Sequence, residues 1–436
     1  MEEPAAEIDV AVIGGGLAGL AAAAFAARAG ASVRVLEARS GLGGRGRTSV
    51  HDGFHFNEGP HALYKASSGV AVLRELGIVA KGASPPLVHT RFSLDGTLRR
   101  VPPRRAVAQV LRLVRGLGKD RHDPGLIHIS AQEWIAGRVT DPVGRQLASS
   151  LVRVSSYSGD LSTFSADGAA SQLHDSLRGV TYLHGGWRQL VDALDAAARA
   201  ATAEIDTHAK ATTLGVDGDR LAVGLGDGRR LVARAVVIAS GGPRAATRLV
   251  GGASASLEAA ATAAAPVHAA CLDLGLRRLS GATRFVLGVD QPTYASVHTP
   301  GARLADHGHV VHLMHYEPLD ESDVEIDVGV DAGRLEALAD EVQPGWRSEE
   351  AARQVGLRRV VAFDRPRPGS GMAGRPRHSV DDLPGVFVAG DWVGPTDLLG
   401  AAAITSGKAA GLAAAAWWST RHRRRGPVSD CSAPSS

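Results

Sequence analysis

Gly14, Gly16 and Gly19 stand in the spacing GxGxxG, and Glu37 follows them as the first acidic residue. Glycines at those three positions permit a tight turn, a close backbone approach to a pyrophosphate, and a helix packed tightly on a strand. A carboxylate beyond them suits the two ribose hydroxyls of an adenosine. These groups bind a dinucleotide only if particular elements hold them. Ile8 to Ile13 is a mostly apolar run that predicts a buried parallel strand. Leu17 to Arg28 is an alanine-rich helix, and the amides of its first residues, Leu17 and Ala18, would face the phosphate. Ser32 to Leu36 predicts a second strand, with Glu37, Ala38 and Arg39 at its end. Strand, glycine turn, helix, strand and acid occur in the order that a dinucleotide site requires.

Gly43, Gly44 and Arg45 follow within eight residues of Glu37. With this segment the chain resembles the FAD-dependent amine oxidase and phytoene desaturase superfamily. The resemblance implies that the glycine pair and Arg45 contact the diphosphate, a role that suits a guanidinium. Two further blocks extend it over nearly the whole chain. Gly53 to Tyr64, GFHFNEGPHALY, resembles the segment that passes beside the flavin ring, which places Gly59, Pro60 and His61 at the cofactor. Gly385 to Ala410 resembles the closing FAD motif. That motif implies a strand over Val386 to Ala389, then Gly390 and Asp391, with Asp391 on a ribityl hydroxyl. A helix beginning near Ala401 and Ala402 would aim its amides at the flavin pyrimidine carbonyl.

Between these blocks, Gly185 to Ala200 carries an apolar stripe at helical spacing through Leu190, Val191, Leu194 and Ala198. Short strands follow: Glu204 to Thr213, Arg220 to Leu225 and Arg230 to Ala233. They resemble the β-meander of such FAD-binding domains, in which the residue near Ala209 would meet the adenine through its backbone. Ala235 to Ser240 predicts one more buried strand. The expected fold is α/β: a discontinuous Rossmann-like FAD-binding domain (1–66, 180–265 and 366–420) with a parallel sheet and a meander. An α+β substrate domain (67–179 and 266–365) would cover the flavin. Phe92 to Val101 reads as a hairpin around Asp95-Gly96, and Val310 to Met314 as a strand.

Composition narrows the function. A chain of 436 residues is long enough for two domains. The net charge of +3 makes no case for a nucleic-acid partner. Cys271 and Cys431 imply no disulfide framework, which fits a cytoplasmic protein, and neither lies in a flavin-contacting block, so FAD is expected to be non-covalent. The acidic start MEEPAAEID has no apolar signal core, and no run of 18 uncharged apolar residues suggests a membrane span. Trp417 and Trp418 beside the basic run Arg421 to Arg425 leave two readings open, a membrane-interface contact or a core helix with a solvated end. Gly426 to Ser436 reads as a disordered tail.

His307, His309, His312 and His315 lack the companions of a recognisable metal site, and no metal is expected. His61 is the candidate catalytic residue; it could carry a proton, orient substrate, or only bond backbone. Many amine oxidases of this fold carry a lysine on a substrate-domain strand and a tyrosine before the closing helix. None of Lys65, Lys81, Lys119, Lys210 and Lys408 falls in 266–365, and Pro395 to Leu399 has no aromatic residue. With apolar Leu398 and Leu399, these departures place the chain on the desaturase side. The expected activity is FAD-dependent hydride removal from a mainly apolar small molecule. The alternatives are an amine or amino-acid oxidase, or a non-catalytic protein like the Rab GDP-dissociation inhibitors. Glu37, Arg45 and Asp391 all being present argues against the last.

Overall fold

The computed structural model describes residues 7–85, 87–317 and 328–424. Pro86 of the Pro85-Pro86 turn, the side chains of the basic run from Arg421, and the tail with Cys431 lie outside the described residues.

The first strand, Glu7–Ile13, sits inside a sheet ordered Glu204–Asp206, Val33–Leu36, Glu7–Ile13, Arg230–Ile238, Arg220–Leu225, Ala211–Asp217. Val386–Val388 adds alongside Arg230–Ile238 in parallel. The meander and the last parallel strand were expected as separate pieces, Arg230 to Ala233 and Ala235 to Ser240. They are one strand, because Glu7–Ile13 pairs with it continuously from Val232 to Ile238. Its first half meets Arg220–Leu225 antiparallel and its second half meets Val386–Val388 parallel, both on the edge away from Glu7–Ile13. The expected strand Glu204 to Thr213 divides instead. His208 takes a left-handed φ of 55°, and the chain turns so that the Ala209 N–H reaches the carbonyl of Glu37.

Helix Leu17–Arg28 has Leu17 to Ala27 all buried, because it is enclosed by the sheet, by helix Arg188–Ala200 and by the closing helix Leu399–Arg424. Leu190, Val191, Leu194 and Ala198 are the buried residues of Arg188–Ala200. Glycine lets the closing helix come close: a Cβ on Gly407 would stand 2.3 Å from the carbonyl oxygen of Ala18, and one on Gly411 the same distance from that of Ala22. Among the described residues, Leu399–Thr420 is one helix long and apolar enough to cross a membrane, a possibility the run-length criterion had passed over. Half of that stretch is buried in protein, and Trp417 and Trp418 pack against the same alanine-rich core, as a core helix would.

A second sheet runs Glu350–Ala362, Val267–Leu276, His309–Tyr316, Thr293–Val297, Phe285–Gly288, Thr90–Leu94, Thr97–Arg99. Thr90–Leu94 and Thr97–Arg99 form the hairpin, with Asp95 and Gly96 both at positive φ as such a turn requires. Helix Val328–Val342 covers one part of this sheet, and four helices between Arg104 and Leu177 build a separate apolar cluster beside it. The first sheet thus draws on residues 7–36, 204–238 and 386–388, and the second on 90–99, 267–316 and 350–362. Each sheet is assembled from distant stretches of chain, so the space between them is lined from many segments.

The closest helix contact yields a test. Gly407→Leu would force the closing helix off the backbone of Ala18, and such overpacking typically costs about 1–3 kcal/mol or more. A fall of several degrees in the thermal midpoint is expected, while Ala416→Ser, at an exposed position of the same helix, should change it little.

Candidate functional site

A cleft of about 530 Å³ opens where the glycine turn, the Gly43 to Arg47 loop, the His61 segment and the start of the closing helix converge. Gly14, Gly16, Leu17, Ala18, Glu37, Arg39, Gly44, Arg45, Pro60, His61, Gly390 and Asp391 all line it. The glycines have different jobs. A Cβ on Gly14 would meet the Ala239 carbonyl at 2.8 Å, and one on Gly19 would stand 1.9 Å from the Gly14 carbonyl oxygen. Both therefore serve packing, and Gly19 does not reach the cleft. Gly16 has no neighbour within 3.8 Å in that direction, so its open face is where a phosphate can approach.

Glu37 is held before any ligand arrives. One carboxylate oxygen accepts the Gly15 N–H at 2.8 Å and the other the Arg39 N–H at 2.9 Å. A carboxylate has about four lone-pair sites, so acceptor capacity for ribose hydroxyls remains. The Gly43 N–H bonds the Gly15 carbonyl at 2.8 Å, which seats the second loop directly on the glycine turn. That loop presents Arg45, whose guanidinium bonds Asp391 Oδ2 at 2.8 Å and the Val361 carbonyl at 2.6 Å and lies 4.3 Å over the Phe363 ring.

Asp391 is 2 % exposed. Its Oδ2 also accepts the Phe363 N–H at 3.1 Å, whereas its Oδ1 has no partner. The indole N–H of Trp187, another lining residue, is likewise buried without a partner. Buried polar atoms are normally satisfied, so an orphan acceptor and an orphan donor facing one cleft fit a polar ligand. The charges agree: Arg39, Arg45, Arg47 and Arg359 line the cleft against Glu37, Glu58 and Asp391, a net positive lining that suits a diphosphate. The donor and acceptor set fits FAD, with Asp391 Oδ1 free for a ribityl hydroxyl.

Several expected residues stand elsewhere. Ala38 and Gly59 do not line the cleft, although the Gly59 carbonyl anchors His61. Ala209 does not line it either, and its N–H is already bonded to Glu37. The closing helix begins at Leu399, two residues before Ala401, and the Ala402 N–H already bonds the Leu398 carbonyl at 3.2 Å. Leu399, Gly400 and Ala403 therefore face the cleft. Ala401 lines a small neighbouring pocket and Ala402 is buried. Of the leucine pair, Leu399 lines the cleft and Leu398 packs into the helical core.

His61 Nδ1 bonds the Gly59 carbonyl at 2.8 Å. A carbonyl only accepts, so the proton sits on Nδ1 and Nε2 keeps the lone pair. The ring lies 4.7 Å from Trp187. Burial, reinforced by the charge of Arg45, lowers the His61 pKa to about 4, so the ring is neutral near pH 7.

Sequence reading missed a second layer. All five tyrosines of the chain, Tyr64, Tyr157, Tyr182, Tyr294 and Tyr316, are buried, and hydrogen bonds and mutual electrostatic influence link them into one cluster. Tyr157 reaches the cleft. Tyr182 bonds the Tyr294 hydroxyl at 2.6 Å and stacks on His298 at 4.0 Å. His312, of the histidine run, bonds Asp273 through Nδ1 at 2.6 Å and leaves Nε2 buried and unpartnered. His309 lies 3.2 Å from the Thr299 hydroxyl and His315 lies 3.7 Å from Asp331, so these histidines do not converge. Among the described residues no group of three or more metal-ligating side chains comes together. No spacing marks Tyr157, Trp187, Arg359 or Phe363 as cleft residues. The Ser240-Gly241 strand end is different, since a glycine after a buried parallel strand is a signal for a ligand edge.

Two measurements check the site. Glu37→Ala and Arg45→Ala each remove a charged hydrogen bond worth about 1.5–3 kcal/mol, so FAD affinity should fall roughly tenfold or more in each, read by fluorescence titration. Unfolded His61 titrates near 6.5 and folded His61 near 4. The folded protein thus binds fewer protons in that window, and stability should drop as pH falls from 6.5 towards 4. His61→Gln should reduce that slope in urea melts taken across the window, with the other buried histidines, such as His298, supplying the remainder.

The comparisons agree with this geometry. Residues 17–270 match the sequence family described as flavin containing amine oxidoreductase. The chain is 52% identical over 52 residues to a carotenoid 3,4-desaturase of Haloarcula japonica, covering 12% of this chain and 10% of that protein. It is 36% identical over 118 residues to one of the limonene dehydrogenase subunits of Castellaniella defragrans, covering 23% of this chain and 21% of that protein. The matches thus span about a fifth or less of these curated relatives. In fold it resembles cyclohexylamine oxidase from Brevibacterium oxydans, with a TM-score of 0.72, 18% identity, and 97% and 100% of the two chains covered. With its family match extending over more than half its length and a cleft whose orphan groups suit FAD, the chain belongs to the flavin-containing amine oxidoreductase family.

Proposed function

We propose that this protein oxidises a mainly apolar, unsaturated or cyclic small molecule, removing a hydride and a proton from it. The observation that carries the reading is the composition of the cleft wall. Val360, Val361, Phe363, Leu399 and Ala403 line it, and no lysine does. An apolar substrate gains about 25 cal/mol per Å² buried against such a wall. The names of the two sequence relatives, a desaturase and a limonene dehydrogenase, support the same class.

FAD, when bound, supplies hydride acceptance. The chain supplies the rest. The glycine turn and Arg45 would hold the diphosphate, Glu37 the ribose, and Asp391 Oδ1 a ribityl hydroxyl. His61 Nε2, its lone pair fixed by the Nδ1 bond to Gly59, is the atom we assign to receive the substrate proton. The Gly59 bond, and more weakly the negative charge of Asp273, raise the basicity that burial lowers. We read the chain as an FAD domain built around the first sheet and a substrate domain built around the second, with the cleft where they meet.

A second reading is amine oxidation, because Tyr157 and Trp187 both line the cleft and aromatic faces attract cations. An anaerobic reduction experiment separates the two. Terpenoid or polyene substrates should bleach the flavin absorbance, and benzylamine and spermidine should not. Rapid bleaching by either amine, with no response to any apolar compound, would reverse the assignment.

A further inference from the structure

We propose that the hairpin end and helix Arg104–Asp120 form a docking surface for an anionic lipid bilayer. From Thr97 to Lys119 the chain carries seven arginines and lysines and no aspartate or glutamate, although its net charge is only +3. The structure turns that run outward. Ala106, Val110, Leu113 and Leu117 are the buried apolar side of the helix. Arg104, Arg112, Arg115 and Lys119 are exposed on its other side and make no ion pair among the described residues. Arg105 has only a 3.8 Å contact with Asp141. Like charges gathered on one face raise a positive local potential that attracts an anionic partner.

The same face exposes aliphatic side chains. Leu111 is 46% exposed in the middle of the basic row, and Val101, just before the helix, is 67% exposed. Leu87 and Val88 are 65% and 70% exposed. In the hairpin Phe92 faces Arg99. Counting back along both strands therefore brings Leu87 and Val88 to the end at which Val101 leaves. Basic and aliphatic groups on one surface match a headgroup layer over acyl chains. A nucleic-acid backbone would reward the arginines alone, so the exposed aliphatics favour lipid. The inner side of this helix also belongs to the apolar cluster that contains Leu398 and against which Leu399, the cleft residue, packs. One continuous core thus joins the docking helix to the cleft wall.

Sedimentation of the full-length, FAD-loaded protein with phosphatidylcholine vesicles, with and without phosphatidylglycerol, tests the assignment. Binding to the anionic vesicles only, weakening as salt rises, is expected. Replacing three exposed arginines together (Arg104→Gln, Arg112→Gln, Arg115→Gln) should weaken it by roughly a hundredfold, from about fivefold per basic residue. Leu111→Asp should weaken it independently, with flavin absorbance and circular dichroism unchanged. Equal binding to neutral vesicles, a triple variant that sediments like the parent, or retention by poly(U) in preference to vesicles would each overturn the proposal.

Discussion

One buried carboxylate holds the site together. Asp391 stands in the last FAD motif, and its Oδ2 takes both the Arg45 guanidinium from the first motif and the Phe363 N–H from the edge of the second sheet. The Arg375 guanidinium bonds the main-chain carbonyls of Asp391, Gly394 and Asp397, which fixes where the carboxylate stands. A charge this deeply buried is tolerable only when paired, so Arg45 and Asp391 constrain each other across 346 positions of sequence. Moving Arg45 would leave the Asp391 carboxylate an uncompensated ion in the interior. The remaining oxygen, Oδ1, is the one polar group of this carboxylate for which the protein has no answer of its own.

That constraint explains the packing around it. The loop carrying Arg45 must lie on the glycine turn, and the Gly43 N–H bond to Gly15 puts it there. Gly43 and Gly44 both adopt positive φ, which lets the loop turn sharply enough to return its arginine toward the cleft. Below them, helix Leu17–Arg28 and the closing helix approach to backbone contact through alanine and glycine. Close packing of this kind leaves little freedom, so the turn and the start of the closing helix hold their relative positions as a ligand would need.

On the other side of the cleft the protein concentrates its polar aromatic groups. Five tyrosines, His298 and the Asp273–His312 pair share a buried region, in which Tyr182 bonds Tyr294 and Ser296, and His312 bonds Asp273. Desolvation raises the tyrosine pKa values, so these phenols stay neutral and act as hydrogen-bond donors and acceptors. The orphan Nε2 atoms of His298 and His312 and the Tyr316 hydroxyl mark where the network is incomplete.

Much of the cofactor side was legible in the sequence because its demands are local. A tight turn needs glycine, a parallel strand needs an apolar run, and an acid at a strand end needs only to follow it. Gly14, Gly16 and Glu37 could therefore be identified by type and spacing, Arg45 and Asp391 through the family resemblance of their segments, and the structure brings all five to one cleft. Sequence alone left other questions to the tertiary structure. Whether Leu398 or Leu399 faces the cleft depends on where the closing helix starts, and a left-handed Leu399 with φ 56° decides it. Ala209 was open to an adenine on sequence grounds, but folding engages its N–H with Glu37. Tyr157, Trp187, Arg359 and Phe363 come from four separate segments, so no short-range pattern relates them. The histidine run could be read along one strand, but the partner of His312 lies on the neighbouring strand, where the antiparallel register sets His312 opposite Asp273. The sequence by itself determined which groups the chain would offer a dinucleotide. Only the long-range pairing of strands and helices decided which side chains stand over it, because that choice depends on contacts between segments hundreds of residues apart.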